Sequence, residues 1–181
     1  MKTDFGGSHT PKEIRDRWQT AYLIFKALDN EFNFRLDAAA DKNNALCCRF
    51  ISEEDNALEI DWSSTGSIYC NPPYSNILPW IHKAAKECKE RVKSIVMLVP
   101  ADTSVGWFKV AMQTVDEVRL ITGGRISFIN ADTGKTVNGN TKGSMLLIWR
   151  PFINPRGVIT TVDKEKLIEI GNRTSAQIKI A

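Results

Sequence analysis

The chain has 181 residues, of which 43% are hydrophobic and 25% charged, with a formal net charge of +3. That is enough for one core and short for two, so a single domain is expected over 1–181, with a polar arm at 1–17 and a tail at 151–181 that carries a short helix. No apolar run reaches the roughly 18 residues that span a bilayer, and the opening residues lack the apolar stretch of a signal peptide, which points to a cytoplasmic protein. Cys47, Cys48, Cys70 and Cys88 show no C-x-x-C pairing and only His9 and His82 are present, so buried, reduced thiols and no metal centre are expected. Lys83, Lys86, Lys89, Arg91 and Lys93 are interrupted by Glu87 and Glu90. They read as the solvated face of a helix, and charge alone does not point to nucleic acid.

In chain order, Thr20 is placed to cap a helix over residues 21–31 whose buried side carries Ile24, Leu28 and Phe32. A short strand at 34–37 ends in Asp37. A second candidate strand covers 47–51, and a short helical segment begins near Glu53. The β-type run 67–70 enters Asn71-Pro72-Pro73-Tyr74, and Ile77, Ile81, Ala84, Ala85 and Cys88 then recur at helical spacing. Residues 94–99 are a continuous apolar run of the kind that parallel strands buried on both faces show, and Pro100 ends it. A helix over 106–114, with Ser104 as its cap, leads to a strand at 118–121. Gly123-Gly124 is a turn. Strands at 125–128 and 143–149 flank a polar loop, 129–142, and can pair as a hairpin. A terminal helix covers 163–170. Alternating strands and helices imply a mostly parallel α/β sheet closed by this antiparallel pair. Only about thirty residues separate Asp37 from Asn71, too few for the usual crossover units, so the sheet is expected to be trimmed there.

The Asn71 tetrapeptide resembles the Asp/Asn-Pro-Pro-Tyr signature of enzymes that methylate planar exocyclic nitrogens, and that chemistry explains its residue types. A planar exocyclic nitrogen delocalises its lone pair and is a poor nucleophile until acceptors hold its two N–H bonds. Asn71 supplies a side-chain carbonyl and Pro72 a backbone one. Two prolines fix φ and donate no N–H, leaving a stiff arm. Tyr74 offers a ring for a flipped base. Taken alone, the four residues could equally form a turn or a polyproline ligand. Their place between a strand and a helix puts them where ligands bind in open α/β sheets.

Several stretches in this order resemble the phage-type DNA N6-adenine methyltransferases, the small Dam-like proteins: Trp18-Gln19-Thr20 with Phe25 and Leu28, residues 31–34, Leu36-Asp37-Ala38-Ala39, Asp55 to Leu58 with Trp62, Asn71 to Ser75, Trp80, Pro100 with Thr103, Trp107-Phe108, and Gly124-Arg125-Ile126 with Phe128. The resemblance covers residues 16–150. It implies a Rossmann-like fold, S-adenosylmethionine as donor, and adenine in double-stranded DNA as acceptor. Two departures stand out: Ala21 replaces the family's proline after Thr20, and Ala38-Ala39-Ala40 stands where a Gly-rich loop is usual. On this resemblance Asn71, Pro72, Pro73 and Tyr74 are the catalytic candidates. Asp37, Asp55, Thr20, Trp18 and Ala38 are the cofactor-side ones, with capping or core packing open for Thr20 and Trp18. Trp107 and Phe128 are weighed as second base-stacking rings against core packing. Arg125 is assigned to a phosphate, and the loop carrying Lys135 and Lys142, with Asn130, Asn138 and Asn140, has side chains suited to reading base edges, with an ordinary solvent-exposed hairpin loop equally open. Other readings stay open: a cytosine N4-methyltransferase, a protein-glutamine amide methyltransferase, or a non-catalytic DNA- or cofactor-binding relative.

Overall fold

The computed structural model describes residues 16–130, 133–137, 142–154 and 156–178. Most of the expected arm, together with Asn138 and Asn140, lies outside them. The elements are β1 (Trp18–Thr20), α1 (Tyr22–Phe32), β2 (Phe34–Asp37), β3 (Ser67–Cys70), α2 (Leu78–Arg91), β4 (Ile95–Pro100), α3 (Gly106–Ala111), β5 (Glu117–Thr122), β6 (Phe128–Asn130), β7 (Thr136–Val137), β8 (Ser144–Trp149), β9 (Val158–Asp163) and α4 (Lys164–Ile178).

Six strands form the main sheet in the order β2-β3-β4-β8-β5-β9. Strands β2, β3 and β4 run parallel, β8 is antiparallel to both its neighbours, and β9 is parallel to β5. Period-2 alternation sorts the side chains onto two faces. Ile95, Met97 and Val99 of β4 join Met145, Leu147 and Trp149 of β8 in the core beneath α2 and α3, whereas Val96 and Leu98 join Leu146 and Ile148 beneath α1 and α4. Both faces are covered, which is why 94–99 reads as an unbroken apolar run.

Several expectations change. The strands near 125–128 and 143–149 do not pair. β6 instead forms a small antiparallel sheet with β1 and β7, while β8 fills the gap between β4 and β5. An all-apolar strand gains most where both its faces are buried, and a hairpin at the sheet's rim would leave one face of β8 in water. Residues 47–51 contribute a single bridge, Asp37 with Phe50, because the Asp37 carboxylate takes the Leu46 N–H at 3.2 Å and the chain turns there. The segment near Glu53 forms turns rather than a helix. The Asp55 carboxylate accepts from both the amide and the hydroxyl of Ser52, a local alternative to helical bonding. Ser104 bonds Asp102 instead of capping α3, which starts after Val105 and ends early. Thr20 lies in β1, with Ala21 as the α1 cap.

Lys83 is buried, not solvated. Its ammonium lies 2.8 Å from the fully buried Glu87 carboxylate, which also accepts the Trp62 amide. Of the cysteines all are free, Cys70 and Cys88 are buried, and Cys48 is exposed. The tail holds more order than its pattern suggested. Edge strand β9 precedes α4, whose first turn is capped by Asp163 through the Glu165 and Lys166 amides. Residues 38–66 contain neither helix nor extended strand, so β2 pairs directly with β3. No described helix is long and apolar enough to cross a membrane.

Candidate active site

The carboxyl ends of β2 and β3 lie side by side and present Asp37 and Asn71, the place where parallel strands leave a crevice. Asn71 follows β3 directly, and the segment before α1 crosses over it. The Trp18 carbonyl accepts the Asn71 amide from Nδ2 at 2.8 Å. That bond turns Oδ1 the other way, where it is buried with no protein partner. The Tyr74 hydroxyl and the Trp18 indole N–H are likewise buried without one. Three polar atoms in one neighbourhood, each carrying the desolvation penalty of an unmade bond, are the mark of a site built around a polar ligand. Tyr74 stands edge-on to Phe128, with centroids 6.2 Å apart and planes at 90°, and Trp18 stacks on Phe128 at 5.9 Å. Burial pushes the Tyr74 phenol well above its ordinary pKa, so it stays protonated and can donate. The Pro73 carbonyl accepts the Asn76 amide, so not all of the stiff arm's acceptors point outward.

Two hollows meet at Asn71. The larger, about 480 Å³, runs between Ala38, Ala39 and Ala40, residues 51–53 and 56–58, and Trp80, a size suited to a nucleoside-bearing ligand. The smaller, about 50 Å³, is lined by Trp18, Thr20, Asp37, Tyr69 and Asn71. Asp37 is 3% exposed and accepts the Ala39 and Leu46 amides at 3.4 and 3.2 Å. Burial outweighs those two bonds and raises its carboxyl from 3.8 to about 6. An ammonium group entering the small hollow would offset that desolvation. Thr20 Oγ1 bonds the Tyr69 hydroxyl at 2.7 Å, which fixes the hollow's floor.

The comparisons with known proteins fall on this geometry. The family model for DNA N-6-adenine-methyltransferase (Dam) matches residues 7–174. The chain belongs to that family. Two curated relatives agree, both named DNA N-6-adenine-methyltransferase. The one from Escherichia phage T1 is 35% identical over 161 residues, covering 81% of this chain and 67% of that protein. The one from Haemophilus phage HP1 is 37% identical over 148 residues, covering 80% and 84%. The reaction of this Dam-family chain is accordingly methyl transfer to the N6 amine of adenine in DNA.

Set against the sequence expectations, the Dam fold brings Asn71, Asp37, Thr20 and Trp18 to the smaller hollow and Asn71, Ala38 and Pro73 to the larger, whereas Pro72 and Tyr74 line neither and Tyr74 packs edge-on to Phe128. Asp55 is not among the residues that line either hollow. It is fully exposed and engaged with Ser52, while its neighbours Glu53 and Asn56 face the larger hollow. Phe128 is entirely buried and serves as the shared support of Trp18 and Tyr74, not as a stacking face. Trp107 packs partly buried against the core, edge-on to Phe108. Arg125 and Lys135 are exposed near the small sheet. Lys142 is ion-paired with Asp102, which holds that carboxyl down at about 2. Sequence reasoning missed Asp16, Asn44 and the place of Trp80 in the cleft wall. Trp80 was findable, because it lies in the first turn of the helix that leaves the Asn71 loop.

Proposed function

We propose that the transfer uses S-adenosylmethionine bound in the two joined hollows, with Asn71 and Tyr74 holding the target adenine. The orphaned Oδ1 of Asn71 carries the reading, since an acceptor buried beside a cleft of nucleoside size is what an exocyclic amine requires. Asp37 would hold the donor's ammonium, Ala38–Ala40 would lie close to its body, and Glu53 and Trp80 would flank its nucleoside. When bound, this donor supplies a sulfonium methyl electrophile. Asn71 Oδ1 and the Pro72 carbonyl accept the two N–H bonds of the amine, fixing its lone pair toward the donor side, so that orientation rather than a base drives transfer. Surplus charge leaves as a proton to water.

The β6–β7 turn, with Lys135, and Arg125 ahead of β6 supply the contacts to double-stranded DNA, whose target base rotates out of the stack at a cost of a few kcal/mol. The direct β2–β3 pairing fits a methyltransferase sheet shortened between its first strand and the Asn71 loop. Acting on DNA in a phage-infected or prophage-bearing cell, the protein works in the bacterial cytoplasm. Nucleoside mass spectrometry after incubation of DNA with labelled donor tests the function. N6-methyladenine is the expected product; N4-methylcytosine or unlabelled nucleosides would overturn it.

A further inference from the structure

The Asn71 loop is gripped from one side by the segment that precedes α1. At its start the Trp18 carbonyl takes Asn71 Nδ2, and four residues on, Asp16 Oδ1 accepts the Ser75 amide at 2.9 Å. Both ends of Asn71-Pro72-Pro73-Tyr74 are therefore tied to residues only two positions apart, 16 and 18. An amide side chain has two faces of nearly the same shape and only one can accept, so the loop delivers an acceptor only if its frame holds still. Proline stiffness fixes the interior of the loop but not its tilt.

We infer that Asp16 is a positioning residue for methyl transfer: through Ser75 it sets the tilt of the loop and hence the aim of Asn71 Oδ1 and Tyr74. The inference rests on the site reading above. Asp16 also lines both hollows, so a role as a charged donor ligand is the rival, and the two roles respond differently to one change. Asp16→Asn removes the charge and keeps an Oδ1 for the Ser75 amide; Asp16→Ala removes both. A misplacement of about 1 Å costs on the order of 10² in rate.

The experiment measures single-turnover methylation, S-adenosylhomocysteine affinity by calorimetry, and amide exchange at Ser75 in the full chain. The expected result is that Asp16→Ala lowers the rate by about 10- to 100-fold and speeds Ser75 exchange, with S-adenosylhomocysteine affinity within about threefold, and that Asp16→Asn restores rate and protection together. Loss of affinity in both variants would make Asp16 a donor ligand and overturn the inference. So would an unchanged rate, or unchanged Ser75 exchange, in Asp16→Ala. Should the parent protein itself form no N6-methyladenine, the functional reading fails, and the exchange arm still decides whether Asp16 orders the loop.

Discussion

Two side chains that line the smaller hollow have separable duties in the proposed site. Asn71 contributes an acceptor aimed before the substrate arrives, so Asn71→Ala should lower turnover by about 10²–10³ while donor affinity, measured separately, changes little; activity within a few-fold of the parent would remove Asn71 from the chemistry. Asp37 should act through binding. With its carboxyl raised from 3.8 to about 6 by burial, the ligand-free fold is favoured by protonation: the contribution is full below pH 3.8 and is lost as pH rises through 6, about 3 kcal/mol in all. A cationic ligand reverses the preference and needs the carboxylate. Donor-product affinity should therefore weaken toward tenfold for each pH step of one below 6, and Asp37→Asn should both lose that dependence and bind more weakly by roughly 1–3 kcal/mol. Calorimetry across pH 5–8 checks both; a flat profile in the parent would place the ammonium elsewhere.

Elements that bury an unmistakable face were legible from the residue pattern. The bounds of β2 and β3 match the runs that ended in Asp37 and Cys70, β4 is shifted by one residue, and β8 starts one residue later and ends where expected. What escaped was decided by partners distant in sequence. β1 is three residues long and exists because β6 lies beside it; β9, with its exposed Val158 and Ile159, pairs among the described strands only with β5. Likewise Asp37 and Asn71 could be named from a motif and its setting, whereas the part played by Asp16 required seeing residues 16 and 75 brought together. The small sheet β1-β6-β7 also frames a test of recognition. Replacing residues 131–135, the connection between β6 and β7, by a short Gly-Ser turn keeps the β1–β6 pairing and should relax or abolish target choice while leaving donor binding intact. Sequencing the methylated positions decides, and an unchanged motif at unchanged efficiency would show that the reading surface lies elsewhere.

At the scale of the whole molecule, the tail is part of the fold. A Cβ added at Gly171 of α4 would meet the Leu23 carbonyl oxygen of α1 at 2.2 Å, so Gly171→Ala should force the two helices apart and destabilise the protein by about 1–3 kcal/mol, read as a lower urea midpoint. Arg150 and Arg156 tie the beginning of the tail to Asp116 at 2.7 and 2.9 Å, on the β5 side of the sheet. The interior place of β8 has a consequence for how the protein is made. A ribosome releases β2, β3, β4 and β5 before it releases the strand that must slide between the last two. Until residue 149 has cleared the exit tunnel, β4 offers growing polysomes an open, wholly apolar edge of the kind that recruits other chains. A stalled or prematurely stopped message is thus expected to yield aggregate or protease substrate, never a smaller working enzyme.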